Sequence, residues 1–489
     1  MTNRRRSRSL PLRVPGFPAV LAAAVLALSA ACALKTPPDA AKIKEEALPG
    51  MALPGQWTAK GAAEGGVADN WLITFHDEQL NAAVAEAIAY NADLRVGAAR
   101  VEQALLYARL AGAKLYPSVD FFARGGGKMS GDGSGIQGGV ITVSWELDLW
   151  GRVRYGRAAA AADAASALAD FEYARQSIAA VVARSWFLAT EAGLQAELAR
   201  QTVGRGEDLV RIAETRLRVG VGNDQDIEVA QVNLGSYRDA LRQLELAREQ
   251  ALRSLEILIG RYPAAAANVS ARLPAQPDAI PAGLPSELLE RRPDVVAAER
   301  RIAAAFNRIG EAKAARLPTI ALTTGVSSIS SELFVLQDHE NPVWNLGASL
   351  LQPIYKGGAL KTQVEIRTVE QKQAVAAYAS IGLRAFGEVE NALSAELAAR
   401  DRERILTETL SHSQRALDVV QTQFKVGSTD LRFVNERQLA LNTTSAALIR
   451  VQAEQRVQRV NLHLALGGSF EPRPQPPADD QNTKQPPKF

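Results

Sequence analysis

The sequence predicts a mixed fold in which four β-strands and long α-helices are arranged in a duplicated repeat. Three observations support this prediction. Two segments alternate apolar and polar residues with period two, two long stretches lack proline and are rich in helix-forming residues, and similar segments recur about two hundred residues apart in the 489-residue chain. The chain therefore divides into two related halves with the same order of elements.

The duplication is visible at several points along each half. Pro117 is matched by Pro318, and each proline stands between a helical segment and a β segment. The glycine turn of "RLRVGVGNDQDIEVAQVNL" is matched by that of "QFKVGSTDLRFVNERQLAL", so that Gly220 corresponds to Gly427. Helix, proline, β segment, long helix, glycine turn and long helix thus occur twice in this order.

The β segments "VITVSWELDLW" and "PVWNLGASLLQPIY" each place apolar residues on one face and polar or small residues on the other. Weaker segments, "SVDFFARG" and "TIALTTGVS", precede them. We therefore predict two β-hairpins, at about 117–150 and about 318–355. The residues predicted to form the apolar face are Ile141, Val143, Trp145, Leu147, Trp344 and Leu346.

The N-terminus is a predicted export signal, because the basic "MTNRRRSRSLPLR" and the apolar "VLAAAVLALSAA" lead to Cys32, the only cysteine. "LSAAC" resembles the lipobox of bacterial lipoproteins, in which Cys32 would become the acylated first residue, although Ser29 stands where an aliphatic residue is usual. An uncleaved anchor helix over 17–34 is the alternative. Removal of the signal takes away five arginines and changes the net charge from +3 to −2. A chain this close to neutral is not expected to bind a polyanionic partner.

Three features favour β-strands of an outer membrane. They are the export signal, the strand length of roughly ten residues and the aromatic residues near strand ends. The apolar face would then contact lipid; a soluble, half-buried sheet is the alternative. Four strands cannot close a barrel, and an open edge leaves backbone groups unsatisfied in lipid, so closure must come from association. Two chains would give eight strands with a filled interior, whereas three chains would give twelve strands and room for a passage.

The stretch from Gly151 to Arg218 contains no proline and is rich in alanine and other helix formers. As one helix it would be on the order of 100 Å long, at ~1.5 Å per residue. Such a helix must pack side by side with others, which predicts a helical barrel; an ordinary coiled-coil rod is the alternative.

Motifs that together carry a family signal, through their order and duplication, include "LDLWG" at 147–151, "LLERRPDV" at 288–295, "QPIYKGG" at 352–358 and the paired glycine turns. With them, the chain from about Trp57 to Gly468 resembles the outer-membrane efflux proteins of the TolC and OprM type, lipoprotein branch. The resemblance implies a trimer with a twelve-stranded β-barrel in the outer membrane, a long α-barrel through the periplasm and a mixed equatorial domain.

The predicted organisation follows from the repeats and the resemblance. Residues 1–31 are the signal peptide, 32–76 a lipidated segment of the equatorial domain, 77–261 the first repeat, 262–284 an equatorial link, 285–468 the second repeat and 469–489 a disordered proline-rich tail. The turns at the helix ends are expected near 219–226 and 426–432.

No catalytic constellation, metal-ligand spacing or phosphate loop stands out in the sequence, so no enzymatic activity and no cofactor other than the acyl lipid on Cys32 is expected. The resemblance implies the exit duct of a tripartite efflux system for small molecules such as drugs, joined to a periplasmic adaptor and to an inner-membrane transporter driven by protons or by ATP. The alternatives are the duct of a type I protein secretion system and a non-conducting structural lipoprotein that spans the periplasm.

The glycine turns are the predicted periplasmic end of the duct, with Val219, Gly220, Val426 and Gly427 as adaptor contacts. In the resembled family, an aspartate shortly after the second glycine lines a closed aperture. Glu436 occupies that position here, and Arg432 the aperture position four residues earlier. We expect both to form a charged gate; a simple surface pair at i and i+4 is the alternative.

Overall fold

The computed structural model describes residues 34–60, 65–124, 137–330 and 343–472. These residues form nine α-helices, a 3₁₀ helix over Trp71–Phe75 and four β-strands. The helices are α1 (Ala40–Ala47), α2 (Glu78–Tyr90), α3 (Ala92–Ala113), α4 (Arg152–Arg218), α5 (Asp224–Ile259), α6 (Pro285–Arg291), α7 (Pro293–Ala314), α8 (Ala359–Lys425) and α9 (Leu431–Ala465). The strands are β1 (Ser118–Arg124), β2 (Gln137–Leu147), β3 (Thr319–Ser330) and β4 (Val343–Leu351).

Helices α4 and α8 dominate each repeat, and both contain 67 residues. Each begins directly after a glycine with a left-handed backbone, Gly151 at φ 75° and Gly358 at φ 83°, a conformation that glycine adopts without steric cost. The long helix predicted from Gly151 to Arg218 is confirmed to within one residue. The tip turns that follow are shorter than predicted and cover 219–223 and 426–430.

The four strands form one antiparallel sheet in the order β1-β2-β3-β4. Both predicted hairpins are present, as the pairs β1·β2 and β3·β4. Strand β2 ends at Leu147, so that Leu149 and Trp150 belong to the connection to α4 rather than to the strand. The pairing of β2 with β3 joins the first repeat to the second.

The chain separates into two units. The first unit takes in the described residues within 1–47, 102–165 and 299–376 and contains the sheet. The second takes in the described residues within 48–101, 166–298 and 377–489. Its main apolar core includes Trp71, Phe75, Phe187, Leu255 and Phe470. Ser469 and Phe470, the first two residues of the predicted disordered tail, are buried in this second unit.

No helix among the described residues combines the length and the hydropathy that crossing a membrane requires.

Candidate functional site

The sheet has one apolar and one polar face. Alternate residues of a strand share a face and directly paired residues lie on the same face, so the register places all six predicted apolar-face residues together. The other apolar residues on that face are Val119, Phe121, Ile320, Leu322, Val326 and Leu350. The opposite face carries Asp120, Thr142, Ser144, Thr323, Ser327, Asn345 and Ser349. Thr324 is a polar residue on the apolar face, and Phe122, Val140, Ala321 and Leu351 are apolar residues on the polar face.

The apolar face is largely uncovered in the protomer. Trp344 and Leu346 are 74% and 84% exposed, and Ile141 is 48% exposed. Val143 and Leu147 are half-buried, and the Trp145 indole N–H donates to the Leu115 carbonyl oxygen over 2.9 Å. A contiguous exposed apolar surface of this kind is typical of contact with a membrane or with another protein.

The two outer strands each pair on one side only within the described sheet. Strands β1 and β4 are its edges, and both therefore present free backbone donors and acceptors along one side. An edge of this kind is a template for pairing with a further strand.

The connection from β2 to α4 is fixed by side chains that the sequence reasoning did not single out. Asp148 accepts from the backbone N–H groups of Val153 and Arg154 over 3.0 and 2.9 Å and so caps the first turn of α4. The Trp150 indole N–H donates to the Pro318 carbonyl oxygen over 2.7 Å and ties the first repeat to the second. The sequence feature that could have indicated this role is a tryptophan directly before the glycine turn at 151.

The described chain begins beside this connection. A Cβ atom added to Gly151 would lie 2.8 Å from Leu34 Cδ2, and the Lys35 backbone N–H donates to the Tyr155 hydroxyl oxygen over 3.0 Å. Cys32, the predicted lipid attachment residue, lies outside the described residues. Leu34 and Lys35 are thus held beside the start of α4.

Both tip turns have the same backbone hydrogen bonds. The amides of Gly220 and Gly427 bond to carbonyls three residues back, over 3.0 and 3.1 Å, and the next amide bonds five residues back in each case. Both glycines are left-handed, with φ 79° and 81°. This is the Schellman pattern of helix termination. Val219 and Val426, predicted with these glycines as adaptor contacts, are 65% and 76% exposed.

A small apolar cluster packs the helix ends of the second unit together. Phe424 is 2% exposed and lies in this cluster with Leu431 and Val434, which are 1% and 0% exposed. Helices α4 and α5 contribute Leu209, Val210, Ala230 and Leu234. The first turns of α9 are therefore anchored on both sides of Arg432.

Arg216 connects the first tip to the second, a role that the sequence reasoning missed. Its guanidinium lies 4.5 Å from the centre of the Phe424 ring and donates to the Phe424 carbonyl oxygen. A second N–H donates to the Val221 carbonyl oxygen over 3.2 Å. Gln423 occupies the corresponding position of the second repeat, 207 residues later; this difference between the copies was the available signal.

Arg432 and Glu436 lie one turn apart near the start of α9, and both side chains are exposed in the protomer. Among the ion pairs of the described residues, Glu436 pairs with Arg437 over 3.4 Å and not with Arg432. The Arg432 guanidinium instead lies 5.2 Å from the centre of the Phe433 ring. The simple surface pair between Arg432 and Glu436 is thus not formed among the described residues of the protomer.

Two buried titratable groups occupy corresponding positions near the other ends of α5 and α9. The Glu256 carboxylate accepts from the backbone N–H groups of Ala265, Ala266 and Ala267 over 2.6 to 2.7 Å. Burial alone would raise the pKa of Glu256, but these donors lower it below the usual range. His463 stacks on Trp71, and burial together with the nearby Arg459 charge lowers its pKa to about 3.

Within the described residues, no group of three or more His, Cys, Asp or Glu side chains could hold a metal ion.

Comparison with known proteins identifies the family of this chain. The model of the outer membrane efflux protein family matches residues 83–261 and 284–468, ranges close to the predicted repeats of 77–261 and 285–468. The chain belongs to the outer membrane efflux protein family. It is therefore an outer-membrane protein of a family of efflux components, and the resemblance inferred from the motifs is confirmed.

Two relatives and one solved structure illustrate the similarity. The cation efflux system protein CusC of Escherichia coli is 30% identical over 442 residues, which cover 86% of this chain and 94% of CusC. The pyoverdine export outer membrane protein OpmQ of Pseudomonas aeruginosa is 31% identical over 448 residues, covering 86% and 92%. The open state of the MtrE outer membrane channel of Neisseria gonorrhoeae superposes with a TM-score of 0.76 at 26% identity, covering 90% and 98%.

Proposed function

We propose that the protein is the outer-membrane exit duct of an efflux system and works as a homotrimer. The observation that carries this proposal is the four-stranded sheet, which has an exposed apolar face, a polar face and two free edges. Three such sheets would close into a barrel of twelve strands with lipid outside and water inside, and no strand edge would remain in the membrane. The long helices would form the periplasmic α-barrel.

Three chains suit a duct better than two. An eight-stranded barrel is just wide enough to be filled by its own side chains, whereas a larger barrel leaves an open lumen. The polar face that would line this lumen carries hydroxyl and amide side chains on all four strands taken together, with the carboxylates of Asp120 and Glu146 and the apolar Phe122 and Val140 among them. A lumen of this kind suits passage of a broad range of hydrated small molecules.

The proposed partners are a periplasmic adaptor, which would contact the exposed tip turns, and an inner-membrane transporter that supplies the energy. The names of the two relatives refer to different cargoes, cations for CusC and pyoverdine for OpmQ. Relatives with different cargoes at about 30% identity support the view that the transporter, rather than the duct, selects the substrate. We propose small molecules, including drugs, as the cargo class.

We further propose that Cys32 carries the acyl lipid that anchors the N-terminus in the outer membrane. Leu34, two residues later, contacts the glycine between β2 and α4. In the proposed trimer this glycine would lie at the rim of the barrel, where an acyl chain on Cys32 can reach the lipid. Metabolic labelling with a palmitate analogue should therefore mark the wild-type protein and should not mark a Cys32→Ser variant.

The proposed gate consists of Arg432 and Glu436. Three-fold symmetry would place three copies of each around the lumen, where rings of charged side chains can constrict a passage. Burial of Leu431 and Val434 holds the backbone of this turn in place. Docking of the adaptor at the neighbouring tip turn would then release the constriction.

Conductance in planar bilayers tests the duct and the gate together. We expect trimers extracted from outer membranes to conduct weakly and the Arg432→Ala, Glu436→Ala double variant to conduct several-fold more. The matched control is Gln225→Ala with Val229→Ala, which changes the corresponding residues of the first repeat and should leave the conductance at the wild-type value. An unchanged conductance in the first double variant would contradict the gate, and purification as a detergent-free monomer would contradict the duct.

A further inference from the structure

The duplication within the chain carries information about how one protomer meets the next. Residues of β1 correspond to residues of β3 that lie 201 positions later, as Pro117 corresponds to Pro318. Residues of β2 correspond to residues of β4 that lie 207 positions later, as Gly151 corresponds to Gly358. Both glycines directly precede a 67-residue helix and both have positive φ.

The strand pairing supports this correspondence. Ser118 lies opposite Ser144 in the first hairpin, and the corresponding residues Thr319 and Leu351 lie opposite each other in the second. The two hairpins therefore have the same register, residue for residue.

A side-chain contact supports it as well. The Trp145 indole N–H donates to the Leu115 carbonyl oxygen over 2.9 Å. The corresponding Gln352 amide donates to the corresponding Arg316 carbonyl oxygen over 3.3 Å. The hairpins are thus structural copies down to the hydrogen bond at their base.

The pairing of β2 with β3 shows how the hairpin of the first repeat pairs with the hairpin of the second. In it, Val143 lies opposite Thr324 and Leu147 lies opposite Ile320. We propose that β4 pairs antiparallel with β1 of the adjacent protomer in the same register, with Leu350 opposite Ala123 of the adjacent protomer. This inference rests on the proposed trimer and specifies the seam between its subunits.

The side chains at the edges fit this seam. Ile354, three residues after the end of β4 and 95% exposed, would lie opposite Val119 of the adjacent protomer, which is 68% exposed, so the seam would extend β4 beyond Leu351. The corresponding pair within the chain, Leu147 and Ile320, is also apolar. Pro353 donates no backbone hydrogen bond, so the seam would weaken towards this end.

The register has a physical consequence for the duct. A shift by one residue would turn the polar face of one sheet towards the lipid and is therefore excluded. A shift by two residues keeps the faces but changes the stagger of the strands, and the stagger sets the tilt of the strands and the diameter of the barrel. The seam thus helps to fix the width of the passage.

Cysteine pairs distinguish the proposed register from its neighbours. Directly opposite residues of antiparallel strands have Cα atoms about 4.5 to 5.5 Å apart, which permits a disulfide, whereas diagonal neighbours are about 7 to 8 Å apart. Ala123→Cys is combined in turn with Ala348→Cys, Leu350→Cys and Gln352→Cys, three positions with the same facing. After mild oxidation we expect covalent trimers on non-reducing gels chiefly with Leu350→Cys, at a yield several-fold above the other two pairs.

Controls separate the seam from the trimer itself. The in-chain counterpart, Val143→Cys with Thr324→Cys, should form an intramolecular disulfide and lose its reactivity towards a maleimide under the same oxidation. Variants that carry only one of the two introduced cysteines show whether Cys32 takes part in any cross-link. A maximum at Ala348→Cys or Gln352→Cys would overturn the register, and so would an absence of cross-links in a protein that light scattering in detergent reports as a trimer. A monomer in that measurement would instead overturn the proposed trimer and the seam with it.

Discussion

The two repeats share their backbone and differ in the side chains at the helix ends. Helices α4 and α8 have the same length, and the tip turns have the same glycine conformation and the same hydrogen bonds. The side chains differ at the tips, where the second repeat has Phe424 in place of Leu217 and the charged pair at 432 and 436 in place of Gln225 and Val229. Duplication has thus kept the scaffold, while each copy has acquired its own packing and charges.

The largest expected difference between the copies concerns the apolar cluster at the tips. Phe424 is 2% exposed within that cluster, whereas the corresponding Leu217 is only half-buried. We expect Phe424→Ala to lower the free energy of local unfolding by about 3 to 5 kcal/mol, because it removes a large buried side chain and leaves a cavity. Hydrogen exchange of the amides over 424–441 measures this loss.

Leu217→Ala is the matched control for Phe424→Ala. It should cost less than half as much, because solvent already reaches the side chain. Equal losses in the two variants would show that the two tips are packed alike and would contradict the comparison.

A second difference lies near the other ends of α5 and α9, where Glu256 corresponds to His463. Glu256 is held ionised by three backbone donors, while His463 is held neutral by burial beside Arg459. The pKa of His463 is about 3 in the folded protein and 6.5 in its ordinary state. Between these pH values the unfolded chain binds a proton that the folded chain does not, so stability falls as the pH falls below 6.5.

We therefore expect the wild-type protein to lose about 2 kcal/mol per protomer between pH 7 and pH 5 through His463, at about 1.4 kcal/mol per pH unit below 6.5. His463→Phe should remove this loss, because phenylalanine can stack on Trp71 and does not titrate. Because the pKa of Glu256 is lowered in the folded protein, its contribution to stability is lost only at lower pH, below about 4.5. Thermal unfolding at several pH values measures the difference.

His412→Phe is the control for this experiment, since it makes the same exchange at an exposed position of α8. That variant should keep the pH dependence of the wild type. If His463→Phe also keeps it, the histidine is protonated in the folded protein and the proposed cause is wrong.

The sequence was most informative where a pattern repeats. Period-two alternation predicted the apolar face of the sheet, and the absence of proline over Gly151 to Arg218 predicted α4 almost to the residue, because backbone preference and periodicity act locally. Arg216 and His463 could not be found in this way. Their roles depend on Phe424 and Trp71, which lie some 200 and 400 residues away in the chain and are brought close only by folding.

The smallest expected effect tests whether the first tip holds the second. Arg216→Gln gives the first repeat the residue type that the second has at this position, Gln423. It removes the charged donor to the Phe424 carbonyl oxygen and the stacking on the Phe424 ring, and we expect a loss of about 1 to 2 kcal/mol in local stability. The amides of Gly427 and Ser428 should then exchange faster.

Arg218→Gln provides the matched control, because it removes the same charge from the same helical turn at an exposed position. Its exchange rates should equal those of the wild type. If the Arg216 and Arg218 variants exchange alike, the bridge contributes nothing and the two tips move independently. If only the Arg216 variant exchanges faster, a contact from the first copy positions the backbone of the second, and the charged pair at 432 and 436 depends on both copies of the repeat.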